Sequence, residues 1–225
     1  MADEDEAAIE WDGRTLAQRF GEEESQLRQN LADYGRNYDW TRMLDLLSQH
    51  SDLINAVRLG GTERYAPLHQ AAHGGASTEV VGALLRMGAW RALRNAGGER
   101  PVDIARRKSH PHLWSILEPA YRQNVADVVL NPIQEHFHAL IRQRANDLVR
   151  EHALRLPELE PMLEFHPRGF WFPVPGMYGG FSYRLVETGN NAKLISESWC
   201  RVSGGSGQRH EITVDGCRLV DEGFV

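Results

Sequence analysis

The sequence predicts an α+β chain: a short stack of helix pairs, then a long helix and a small antiparallel sheet of four to five strands. Three observations predict it. Apolar residues recur at helical spacing in paired segments between about residues 22 and 122. A single apolar stripe then runs down residues 131–150. From Gly169 the composition turns aromatic, β-branched and glycine-rich, with turn signals at hairpin intervals. The expected organisation is an acidic segment over 1–21, helix pairs over 22–124, and a helix-plus-sheet domain over 125–225.

The segment that starts Met-Ala-Asp-Glu-Asp-Glu is expected to fray through Ile9. It has no apolar run of the signal-peptide kind. The first pair then begins. Leu27, Leu31 and Tyr34 share a helical face, Gly35 breaks it, and Trp40, Met43, Leu44 and Leu47 form a second. A loop over 54–65 follows. In the second pair Pro67 opens a helix, since its fixed φ suits the first helical position. Ala71 and Ala72 allow close packing, and Gly74-Gly75 ends the helix. Ser77 or Thr78 caps the next one, whose face is Val80, Val81, Leu84 and Leu85. The third pair opens at Pro101, 34 residues after Pro67, and Ala105 follows Ala71 by the same step. Leu113, Ile116, Leu117 and Tyr121 supply its second face.

Asn131-Pro132 reads as the start of the long helix. Its stripe is Ile133, Phe137, Leu140, Ile141, Leu148 and Val149. The strands are expected at 170–172, 181–187, 193–202, 208–214 and 217–220. Asp215-Gly216 is expected as the type I′ pair of the last hairpin.

The 225 residues carry a net charge of −6 with no extended basic run, so nucleic acid is not an expected partner. No apolar run is long enough to cross a membrane, so no membrane partner is expected either. Cys200 and Cys217, the two cysteines, fit a reducing cytoplasm and make no zinc site by themselves. A bridge between them is the open alternative. His136 and His138 point to different faces of one helix, and no other His pair has ligand spacing, so no metal is expected. No nucleophile–base set is visible, so no catalytic residue and no cofactor is assigned.

Ala-Pro-Leu-His-Gln-Ala, residues 66–71, resembles the opening of an ankyrin repeat, and residues 22–122 are similar to a three-unit ankyrin stack with imperfect ends. The resemblance implies a cytoplasmic scaffold that binds another protein through loop tips and the inner helix face. It also implies a structural role for His69. Carried onto this sequence, the partner-binding residues would be Arg64, Tyr65, Trp90, Arg91 and Arg94, Trp and Arg being common hot-spot types. The C-terminal part looks like a domain attached to ankyrin repeats in bacterial proteins, to which no activity attaches.

The alternative function is a small-molecule or enzymatic role for the sheet. Glu197, Arg201, Arg209 and His210 would form a polar pocket walled by Trp171, Tyr178 and Trp199. The plainer alternative is a ladder of paired charges on an exposed sheet face. The glycine-rich stretch 203–207 is either a flexible hairpin loop or an anion-holding nest with Arg209. A third alternative is a homo-oligomer made by pairing of sheet edges.

Overall fold

The computed structural model describes residues 8–17, 21–200 and 206–223. Arg201 and the glycine-rich stretch 203–205 lie outside the described residues. The architecture is α+β, and the chain divides into two compact units. One contains residues 14–120; the other joins the described residues of 1–13 to those of 121–225.

The described residues of 14–120 form helix pairs: α1 (Glu22–Arg36) with α2 (Trp40–Gln49), α3 (Pro67–Gly74) with α4 (Thr78–Arg86), and α5 (Pro101–Arg107) with the single-turn α6 (Trp114–Leu117). α1, α3 and α5 pack side by side in one layer, and α2, α4 and α6 pack in the other. Between the layers lie Leu31, Met43, Leu47, Leu68, Ala71, Ala72, Val81, Leu84, Val102, Ala105 and Leu117, all buried.

The caps explain why the pairs start where they do. The Nδ1 atom of His69 accepts the Ala66 N–H at 3.3 Å, and in the next pair Asp103 Oδ2 accepts the Arg100 N–H at 2.9 Å. The third residue of each helix thus serves the same orphan donor, first with an imidazole and then with a carboxylate. Ser77 Oγ caps α4 through the Val80 N–H at 3.4 Å. Gly75 ends α3 at φ 61°, and a Cβ there would lie 2.6 Å from the His110 ring, so both backbone and space require glycine.

The second unit is a six-stranded mixed sheet, order β1-β2-β3-β4-β5-β6, with one long helix, α7 (Asp127–Glu151). Its strands are β1 (Ile9–Glu10), β2 (Phe170–Val174), β3 (Gly179–Glu187), β4 (Lys193–Cys200), β5 (Ser206–Thr213) and β6 (Gly216–Glu222). β2 to β6 form an antiparallel meander, whereas β1 pairs with β2 in parallel.

Three sequence expectations are corrected here. Ile9, expected at the end of the frayed segment, instead opens β1. Ile9 and Trp11 donate backbone bonds to Gly169 and Trp171, and Trp11 is buried with its indole N–H on the Arg155 carbonyl at 3.0 Å. These pairings span more than 140 residues and leave no local periodicity to read. The long helix begins at Asp127, so Pro132 sits inside it. The carbonyl that Pro132 cannot serve is that of Val128, an 81% exposed residue, where water can take the bond. In the last hairpin the loop residues are Val214 and Asp215, between the paired Thr213 and Gly216. Neither is left-handed; Gly216 takes the positive φ, 147°, just after the loop.

His138 illustrates how burial sets a charge state. Its Nε2 lies 2.7 Å from the Pro157 carbonyl, and burial, the largest influence, lowers its pKa below the usual 6.5. The neutral ring with Nε2–H donating suits both facts. Below pH ~6.5 the unfolded chain takes up a proton that the folded ring resists, so stability falls as pH drops. His138→Gln, which keeps a donor and cannot charge, is expected to flatten the urea midpoint between about pH 5 and 7. An unchanged pH slope in that variant would exclude His138 as its source.

Candidate functional site

On the helix-pair unit, side chains from successive pairs meet in one strip. Tyr38 enters at φ 59°, and its hydroxyl lies 3.2 Å from His73 Nδ1. Tyr65 stacks on His69 at 5.7 Å and meets the edge of His73 at 5.9 Å. Arg107 reaches Glu99 at 2.7 Å and the Tyr65 hydroxyl at 3.4 Å. His110 Nε2 contacts the His73 carbonyl at 3.3 Å. The loops before α3 and α5 are tied by the Ala96 N–H to the Glu63 carbonyl at 3.0 Å.

Charge follows from these contacts. The Arg107 hydrogen bond, ahead of the opposing effect of burial, lowers the Glu99 pKa, and Glu99 in turn raises that of Arg107. His73 is lowered, by burial first and then by the cations Lys108 and Arg107. The strip therefore combines exposed aromatic edges with a neutral imidazole and one cation–anion pair.

The five residues carried over from the resemblance do not all lie on this strip. Tyr65 does, and Arg64 precedes it at φ 54°, partly exposed. Trp90 is a correction: it is 6% exposed, with its N–H held by Asn55 Oδ1 at 3.0 Å, so it is core rather than a contact at a tip. Asn55 also donates to the Gly88 carbonyl, tying two pairs together. Arg91 is turned toward α6 through a 2.9 Å bond to the Ile116 carbonyl. Arg94 closes its own loop on the Gly98 carbonyl at 2.8 Å.

The sheet sorts the residues of the expected pocket by face. Trp171, Glu197, Trp199 and Arg209 share the face opposite α7. There Trp171 and Trp199 stack at 4.8 Å and 21°, flat across Gly180. Glu197 and Arg209 are cross-strand partners with an ion pair at 3.6 Å. Next to them Glu211 holds Arg218 at 2.6 Å and Lys193 at 3.8 Å. This is the charged ladder. Tyr178 stands apart, 76% exposed at φ 51° in the β2–β3 turn. His210 is on the other face, buried under α7. A pocket uniting it with Glu197 and Arg209 is therefore excluded by the strand's own alternation. Cys200 and Cys217 are both free thiols.

The α7-facing side of the sheet carries a polar set that sequence reasoning missed. Tyr183, Ser196 and His210 are direct neighbours across β3, β4 and β5, and Ser198 is two residues along β4 on the same face. Tyr183, Ser196 and Ser198 are fully buried. Among the described residues the Tyr183 and serine hydroxyls and His210 Nδ1 have no hydrogen-bond partner. Neither has the buried Nε of Arg144, which comes down from α7 and bonds the Ser206 carbonyl at 3.3 Å and hydroxyl at 3.4 Å. Five unsatisfied groups at about 1–3 kcal/mol each would cost roughly 5–15 kcal/mol, comparable to the whole stability of a domain. Beside them α7 is broken: Ala145 leaves the helical region at φ −144°, ψ 27°. Among the described residues no three His, Cys, Asp or Glu side chains could hold a metal ion. No described helix is long and apolar enough to cross a membrane.

No known family model matches this chain, and no curated protein matches it.

Proposed function

We propose that residues 22–122 are ankyrin-type repeats and that the chain works as a protein-interaction scaffold. The reading is supported above all by the continuous strip of Tyr38, His73, Tyr65, Arg107 and Glu99, to which all three helix pairs or their loops contribute. Tyrosine and arginine rank among the residue types that dominate binding energy at interfaces. Here they are pre-positioned by contacts to their neighbours, which lowers the entropy lost on association. The strip would recognise a polar segment of another protein, with Arg64 and Arg94 flanking it. The shared N3 device of His69 and Asp103 supports the repeat assignment.

Arg107→Glu places two carboxylates together where an ion pair stood, at a position exposed enough to leave the fold intact. Partner recovery by affinity purification from native-level expression is expected to fall at least tenfold, with Tm little changed. Equal recovery by this variant and the parent chain would remove the strip from the account.

A further inference from the structure

We infer that the layer between α7 and the sheet binds a small oxyanion, a carboxylate or phosphate group, held by Arg144 with the hydroxyls of Tyr183, Ser196 and Ser198 and the imidazole of His210. The site belongs to the unit that does not carry the interaction strip and is independent of the scaffold reading.

The chemistry of the free atoms selects the ligand. Arg144 can only donate, and each hydroxyl can donate by rotating its hydrogen. His210 Nδ1 can donate in one neutral tautomer. Among the described residues five potential donors without partners face one layer, and Arg144 makes its hydrogen bonds to Ser206, a neutral residue. The carboxylate that acts on Tyr183, Glu158, is already paired with Arg155. A guanidinium part-way into the interior beside uncharged hydroxyls is an incomplete charge arrangement, and an oxyanion completes it. Burial lowers the pKa of both Arg144 and His210, and Arg144 lowers that of His210 further. An anion between them would offset both effects.

Register explains why they share this layer. Tyr183, Ser196 and His210 form one row across three strands, and Ser198 opposes Gln208 in the next row. Arg144 reaches the same face of β5 at Ser206, which opposes Cys200 one row beyond Ser198 and Gln208. Phe137, 4.9 Å from the Tyr183 ring, closes the apolar side. The break of α7 at Ala145, the residue after Arg144, interrupts the helix where that side chain departs toward the sheet. Hydroxyls in this row serve no packing purpose that alanine or valine would not serve better.

The test is thermal denaturation of the full chain titrated with inorganic phosphate in one arm and acetate in the other, with chloride at matched ionic strength as control. A saturable rise of Tm in either arm, absent in the control, is expected, and the responsive arm identifies the class of oxyanion. In Arg144→Gln the response is expected to disappear. In Ser196→Ala/Ser198→Ala it should also disappear, while the ligand-free Tm rises, because two buried hydroxyls lacking partners have been removed. The two variants keep the test informative should one fail to fold. No saturable response to either anion, or a response that both variants retain, overturns the site. So does a crystal structure from phosphate that shows ordered water alone on these atoms.

Discussion

Replacing Trp11 by Ala is expected to lower the stability of the sheet unit by about 3–5 kcal/mol, the range for emptying the volume of a buried aromatic. Trp11 is 1% exposed. Its backbone N–H bonds the Trp171 carbonyl at 2.8 Å, and the Arg155 guanidinium lies 5.1 Å from its ring centroid. The backbone of Arg155 returns to the Gly13 carbonyl at 2.8 Å, so the segment is held from both sides. Truncation removes the indole bond, the cation–π contact and the volume together. The checks are the urea midpoint and amide exchange of β2, both of which should move in the same direction. Trp11→Phe should recover part of the loss, since it refills most of the volume without the donor. An unchanged midpoint for Trp11→Ala would mean that residues 9–13 only lie against the sheet.

Gly180→Ala should be the second large effect. A Cβ on Gly180 would sit 2.2 Å from the Phe172 carbonyl oxygen and 2.9 Å from the Trp171 ring. The first clash is with backbone, so no rotamer change relieves it. β2 and β3 must separate, at a cost of about 1–3 kcal/mol for an overpacked site or more where the backbone cannot shift. The methyl also occupies the space over which Trp171 reaches Trp199. The variant should therefore lose the exciton signal of the stacked indoles in circular dichroism along with stability. Loss of stability with the exciton signal intact would show that the tryptophan pair does not depend on this glycine.

What could be read from the sequence, and what could not, follows from the range of each signal. α3 and α4 were legible because Pro67, Gly75 and Ser77 act on their own backbone within a few residues. The stripe of α7 was legible for the same reason, and six of its eight buried residues lie at or after Ile133. The start of α7 was misplaced because proline inside a helix is tolerated where the carbonyl it abandons faces water. β1 was illegible: two residues and Trp11 gain their meaning from partners near positions 155 and 170. The resemblance implies a tip contact at Trp90, whereas its burial depends on how neighbouring pairs stack around Asn55.

The sheet shows a subtler limit. In β4, Leu194, Ser196 and Ser198 alternate with Ile195, Glu197 and Trp199, so both faces carry polar residues. Polarity alone then cannot say which face is buried. The period of two did contain the answer that His210 and Arg209 must face opposite ways. The polar row of Tyr183, Ser196 and His210 needs the register of three strands, which only the structure supplies.

The central claim is that the strip across the helix pairs is where this protein meets another. Site-specific photo-cross-linking in cells tests it most directly. A benzophenone amino acid placed at Tyr38, on the strip, or at Arg64, which flanks it, is compared with one at Arg86, an exposed residue of α4 in the other helix layer. The account predicts one discrete adduct from the strip positions that Arg107→Glu abolishes, and none from position 86. Equal labelling at all three positions, or adducts from position 86 alone, would contradict it.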